Sequence, residues 1–251
     1  MLLRATARLL RRPHASRAFS SAGLRQTDAS SQRILLTGSC GQVGCELVPH
    51  LRSLCGAENV VATDVREPPK ALLDAGPFHR LDVTDALALE RIIVEQKITT
   101  IVHLAALLSA TGEKNPHLAL QVNNMGATNV LEAARVHGLS VFSPSTIAVF
   151  GPSTPRENTP DSTVMRPTTI YGVTKVHLEL LGEYYHAKFG VNVCARSPLA
   201  CPRACTLTRF PTLLHAAWSC ARGACGGLLT ACACRGASAV RRSSARCATR
   251  E

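Results

Sequence analysis

Aromatic residues are scarce in this chain of 251 residues: Phe, Trp and Tyr together make up 4%, with a single Trp. That removes the stacking platforms on which single-stranded nucleic acid is held. No run approaches the ~18 consecutive apolar residues of a membrane-spanning helix, so no membrane partner is expected. Acids are nearly missing from both ends. Residues 1–33 hold seven Arg and one acid, Asp28, for a net +6. Residues 199–251 hold eight Arg, no Lys and one acid, Glu251, for a net +7. The stretch between, 34–198, carries eight Arg, five Lys and fifteen acids, for a net −2. The formal +11 of the chain therefore does not belong to its middle, and the case for a nucleic-acid partner falls with it. What the middle does have is enough apolar sequence to bury a core.

Residues 1–32 are rich in Arg, Ala, Ser and Leu. Arg4, Arg8, Arg11 and Arg12 fall near one helical face, and Arg4 and Arg8 interrupt any secretory-type apolar run. That pattern predicts an import presequence for the mitochondrial matrix, cut near Arg17-Ala18-Phe19-Ser20-Ser21; a disordered basic tail is the alternative.

From residue 33 apolar strands alternate with helical periodicity. Ile34-Leu35-Leu36-Thr37 predicts a buried parallel strand. It enters Gly38-Ser39-Cys40-Gly41-Gln42-Val43-Gly44, after which Val43, Leu47 and Leu51 repeat every four residues. Glycines in such a strand-to-helix turn permit the bend, the approach of a pyrophosphate to the backbone, and close packing of helix on sheet. The helix N-terminus then faces the phosphates. Asp64, with Val65 and Arg66, closes a second apolar run. A carboxylate there accepts from the adenosine ribose hydroxyls and disfavours a 2′-phosphate, so the cofactor is expected to be NAD. Arg66 argues the other way, and a solvated loop acid is the plain alternative for Asp64. Phe78 to Leu81 predicts a third strand leading to Asp82 and Val83 at the adenine. Thr84 is expected to cap a helix reaching Gln96. Strands are expected at Thr99 to Leu104 and Ser140 to Ser143, with helix over most of Asn115 to His137. The fold class is α/β: a doubly wound parallel (Rossmann) sheet spanning residues 33–198.

Tyr171 and Lys175 stand four apart, on one face of a helix. Spacing of this kind is common on exposed helix faces, but Thr146, in Pro144-Ser145-Thr146-Ile147, follows the fifth strand. A phenol of ordinary pKa ~10 becomes a base when a cation stabilises phenolate, which is the role expected of Lys175. Thr146 would orient a substrate hydroxyl. The three side chains suit oxidation of a secondary alcohol by general acid–base chemistry.

Taken together, Gly38 to Gly44, Asp64, Thr146, Tyr171 and Lys175 resemble the extended short-chain dehydrogenase/reductase family. A narrower resemblance is carried by His103-Leu104-Ala105-Ala106-Leu107-Leu108-Ser109-Ala110-Thr111-Gly112-Glu113-Lys114-Asn115-Pro116, by the run from Pro144 to Pro152, by the run from Arg166 to His177, and by Gly182-Glu183-Tyr184-Tyr185. These are similar to the mitochondrial, threonine-oxidising branch of that family. The resemblance implies L-threonine as substrate, NAD as cofactor, 2-amino-3-oxobutanoate as product on the way to glycine, and a homodimer. It also implies that Leu104, Ala105 and Ala106 flank the nicotinamide, that Tyr171 accepts the proton, and that Ser109, Ser145 and Thr146 help shape the substrate pocket. A sugar-nucleotide epimerase or reductase, or an NAD-binding chain without turnover, are the competing readings.

After Arg196-Ser197-Pro198 the resemblance stops. Residues 199–251 include twelve Ala and seven Cys with little periodicity, more like a translated frameshift or alternative exon than a selected fold. The substrate lobe is thus expected to be missing or replaced, the tail poorly ordered, and turnover impaired. Cys201, Cys205, Cys220, Cys225, Cys232, Cys234 and Cys247, with His215, lack paired zinc-knuckle spacing, so no metal is expected.

Overall fold

The computed structural model describes residues 32–155, 159–160 and 163–194. The expected presequence, the family-like Arg196 to Pro198, the Cys-rich tail and the impairment inferred from it fall outside the described residues.

Four strands begin where the apolar runs begin: β1 (Ile34–Thr37), β2 (Val60–Asp64), β4 (Thr100–His103) and β5 (Ser140–Phe142). With β3 (Phe78–Arg80) and β6 (Asn192–Cys194) they form one parallel sheet in the order β3-β2-β1-β4-β5-β6. Central strands of a parallel sheet are covered on both faces, so their residues are apolar without a polar alternate. Period-two alternation only decides which layer each residue enters. Leu35, Val61, Ile101 and Val141 point to one layer; Ile34, Leu36, Val60, Ala62 and Val102 point to the other.

The second layer is closed by α1 (Gln42–Cys55) through Leu47, Val48 and Leu51, and by α2 (Lys70–Asp74) through Leu72. The first is closed by three helices. These are α3 (Ala86–Glu95), α6 (Gly126–His137) and α7 (Ile170–Phe189). Short α4 (Ser109–Lys114) and α5 (Pro116–Leu120) lie between β4 and α6.

Two expectations about the helices need correction. Asp85 caps α3, its carboxylate accepting from Ala88 N–H at 3.0 Å. Thr84 instead donates its hydroxyl to Asp82 at 2.8 Å. A carboxylate one residue closer to the helix outcompetes the hydroxyl for the free amide. The helical stretch from Asn115 to His137 is also interrupted, by a π-helical turn over Gln121–Met125. Such a turn re-aims side chains that a continuous α-helix would place elsewhere.

The order of strands reverses between β1 and β4: β2 and β3 lie on one side of β1, and β4 to β6 on the other. A crevice opens there at the carboxyl ends of the strands.

Candidate active site at the strand ends

β1 delivers the chain to Gly38, whose φ of +76° lies in the left-handed region. A Cβ at this position would sit 2.7 Å from the Ala105 nitrogen, so the phosphate-side turn and the loop after β4 can approach only through glycine. Gly44, buried in the first turn of α1, meets the same limit: its Cβ would lie 2.5 Å from the Gly38 carbonyl oxygen. Ser39 is buried and its amide donates to Thr63 O at 3.0 Å. Gly41 begins α1 with no side-chain cap and no acid in the first turn. Gln42 and Val43 open the helix behind it. A helix start with no side-chain cap and no acid in its first turn suits a phosphate.

Asp64 ends β2 and is only 6% exposed. One carboxylate oxygen accepts from Cys40 N–H at 2.8 Å, and the other from Arg66 N–H at 3.0 Å. The Arg66 guanidinium adds an ion pair at 3.3 Å. Burial works to raise the acid's pKa, but the hydrogen bonds from Arg66 and Cys40 outweigh it and hold Asp64 below the ordinary carboxylate value. Asp64 is therefore an anion fixed to the phosphate loop. Arg66, which argues for a 2′-phosphate in sequence, is engaged by that anion. Val65 is exposed beside it. At the next strand end, Asp82 accepts from Thr84 N–H at 2.9 Å. Buried Val83 is held by Asn129, whose amide donates to the Val83 and Thr84 carbonyls at 3.0 Å each.

The loop after β4 is fastened from two sides. Leu104 N–H donates to Thr37 O at 3.0 Å and Ala105 N–H to the Thr37 hydroxyl at 3.4 Å. Ala106 follows, half-buried. Leu107 exchanges both backbone groups with the Asn123 side chain, at 2.8 and 3.1 Å. Asn123 sits in the π-helical turn, buried, and also donates to Thr174 Oγ1 at 3.0 Å. His103 is buried at the end of β4 against Thr37 Oγ1, 2.9 Å away. Burial, with a smaller contribution from the charge of Lys175, pushes its pKa down to about 3, so it is neutral.

Helix α7 carries Tyr171 and Lys175. Thr169 caps it, accepting from Gly172 N–H at 3.0 Å, and Glu113 of α4 accepts from Ile170 N–H at 2.8 Å. The Tyr171 side chain is hydrogen-bonded to Thr146, whose oxygen also accepts from Ala148 N–H at 3.2 Å. Lys175 is 6% exposed and donates from Nζ to the Pro144 carbonyl at 3.0 Å. Its Nζ lies 5.8 Å from the Tyr171 ring centroid. Burial lowers the ammonium pKa to about 8, opposed by the charge of Glu179. Burial is also the largest influence on Tyr171 and raises its pKa, with partial relief from Thr146. The lowering expected from Lys175 is not found: burial and Thr146 set the Tyr171 value, and the net direction is upward. Ser145 is buried and donates to Glu179. Ser109 opens α4, two residues after Leu107.

The structure thus gathers Thr146, Tyr171 and Lys175 at one end of the crevice and Asp64 and the glycine loop at the other. Asn123 and Glu179 were not singled out by the sequence. Each is one polar residue in a helix, which by pattern alone is indistinguishable from a solvated face.

The family model described as the NAD dependent epimerase/dehydratase family matches residues 34–199. The chain belongs to this family. Bovine mitochondrial L-threonine 3-dehydrogenase is 48% identical over 173 residues, covering 68% of this chain and 46% of that protein. An uncharacterized epimerase/dehydratase of Staphylococcus saprophyticus is 51% identical over 162 residues, covering 64% of this chain and 51% of that protein. The crystal structure of L-threonine dehydrogenase from Phytophthora infestans superposes with a TM-score of 0.61 at 57% identity, covering 64% of this chain and 52% of that one. The chain spans about half the length of the curated relatives it matches. The residues fit the NAD of this NAD-dependent family: a helix start without a side-chain cap suits phosphate, and a buried anion suits a ribose hydroxyl.

Proposed function

We propose that this site oxidises the 3-hydroxyl of L-threonine with NAD, giving 2-amino-3-oxobutanoate, a step towards glycine, and that the chain acts in the mitochondrial matrix. One observation supports the reading above the others. The Tyr171 hydroxyl meets Thr146 at the end of the sheet where the Leu104–Ala106 loop crosses Gly38. A substrate hydroxyl placed between Thr146 and Tyr171 is oriented by the first and loses its proton to the second. NAD, when bound, supplies the acceptor for the hydride that leaves C3. Gly38 to Gly44 would hold the pyrophosphate, Asp64 and Arg66 the ribose end, and Val83 and Asp82 the adenine. Lys175 carries positive charge next to the Tyr171 ring, and Ser109 and Ser145 frame the substrate side. The naming of the bovine and oomycete relatives favours threonine over a nucleotide sugar. Pairing into the homodimer of the wider family is part of the same reading.

The test is NAD reduction by the purified chain with L-threonine or nucleotide sugars offered separately. Reduction with threonine alone, slower than ordinary enzyme rates because the sequence after Pro198 departs from the family, is the expected result; reduction with a nucleotide sugar alone overturns it. A fluorescent fusion of residues 1–33 is expected in the matrix; a fusion retained in the cytosol contradicts that placement.

A further inference from the structure

Three consecutive residues after β5 are matched, one each, to three residues spaced four apart on α7. The Pro144 carbonyl accepts from Lys175, the Ser145 hydroxyl donates to Glu179, and Thr146 is hydrogen-bonded to Tyr171. Residues at this spacing share one helix face. Two of the three pairs hold the reacting groups Lys175 and Tyr171 of the proposed function; in the third, Ser145 borders the substrate side and Glu179 has no part in that reading.

The surroundings of Lys175 show what that pair can do. Lys175 is buried, and its Nζ donates to the Pro144 carbonyl, a neutral group. From β4 it faces His103, which is neutral. From its own helix it faces the Tyr171 ring one turn before and Glu179 one turn after. Glu179 is therefore the anion that offsets the cost of burying this ammonium. Its carboxylate is seated by Ser145, a residue of the same loop that receives Lys175.

We propose that Glu179 is a positioning residue: held by Ser145, its carboxylate keeps the ammonium of Lys175 charged beneath Tyr171. The catalytic sense of this arrangement rests on the threonine-oxidising reading; the electrostatic link does not. Without the carboxylate, the ammonium gives up its proton more readily, and Lys175 becomes neutral at lower pH. Burial already brings its pKa to about 8, so a further fall neutralises it within the working range.

Trace acetylation of Lys175 by acetic anhydride across a pH series, read by mass spectrometry, reports its protonation without cofactor or substrate. In E179Q the midpoint of reactivity is expected to fall by about half a unit or more, roughly threefold in proton affinity. S145A, which leaves α7 intact, is expected to move it in the same direction. An unchanged midpoint in a variant that melts cooperatively overturns the proposal. With turnover measured in parallel, the alkaline limb of kcat for threonine is expected to move to lower pH in E179Q while KM holds; a uniform fall in kcat at every pH contradicts the positioning role. Failure of the wild-type chain to reduce NAD with threonine overturns the functional reading instead, and the labelling still decides the link.

Discussion

The carboxylate of Asp64, at the end of β2, accepts the amide hydrogen of Cys40 at 2.8 Å. The acid proposed for the ribose is thus also a strut for the loop proposed for the phosphates, and the hydrogen bond joins the two ends of the proposed dinucleotide site. Replacing Asp64 by Asn leaves the Cys40 and Arg66 donors with a neutral acceptor. Hydrogen bonds to a charged group contribute about 1.5–3 kcal/mol, so a loss of stability in this range is expected, together with weaker NAD binding. The sign with pH follows from the depressed folded-state value. The contribution of Asp64 is complete above the ordinary value of 3.8 and is lost as pH falls through the lower folded one. Urea unfolding across an acid series, wild type against D64N, is expected to show curves that converge at low pH; parallel curves contradict the assignment.

Gly38→Ala puts a side chain where the φ is +76° and the Ala105 backbone would stand 2.7 Å away. The left-handed conformation alone costs about 1–2 kcal/mol, and the clash lies against backbone that cannot rotate aside. A lower denaturant midpoint and loss of NAD-dependent thermal stabilisation are expected together. Retention of both would show that the turn is wider than described.

His103 provides a second pH dependence, with its own window. Its folded-state pKa is about 3, against 6.5 when unfolded, so between those values the unfolded chain binds the extra proton. Stability therefore rises with pH across that interval. His103→Asn, which keeps a polar group near Thr37 but cannot titrate, is expected to flatten the slope between about pH 4 and about pH 6. An unaltered slope in the variant would assign it to other groups.

Tyr171→Phe removes the proton acceptor and leaves the ring. Loss of general-base catalysis costs on the order of 10²–10⁴ in rate, so kcat is expected to fall by that much while NAD affinity, read by calorimetry, stays within about threefold. A variant with ordinary turnover would remove Tyr171 from the reaction.

Much of this was legible in the residues, for identifiable reasons. Ile34–Thr37 and Val60–Asp64 are short apolar runs bounded by glycine or acid, and both strands occur where the runs do. Asp64 is legible because it stands at a fixed distance beyond the glycine turn. The cap of α3 was misassigned by one residue because Thr84 and Asp85 are both good caps, and only geometry shows that the hydroxyl is taken by Asp82. The π-helical turn leaves no mark on periodicity, yet it carries Asn123, whose amide fastens the Leu107 backbone. Glu179 was hidden for a similar reason: its partner, Ser145, lies 34 positions away in sequence, and only the packing of α7 on the sheet end brings them together.

The account turns on whether the hydroxyl-bearing carbon of threonine gives up its hydride in this crevice. The most direct measurement is incubation of the chain with NAD and L-threonine deuterated at C3, followed by mass spectrometry of the reduced cofactor. The account predicts NADH that carries the deuterium. NADH without the label, or no threonine-dependent NADH, would contradict it.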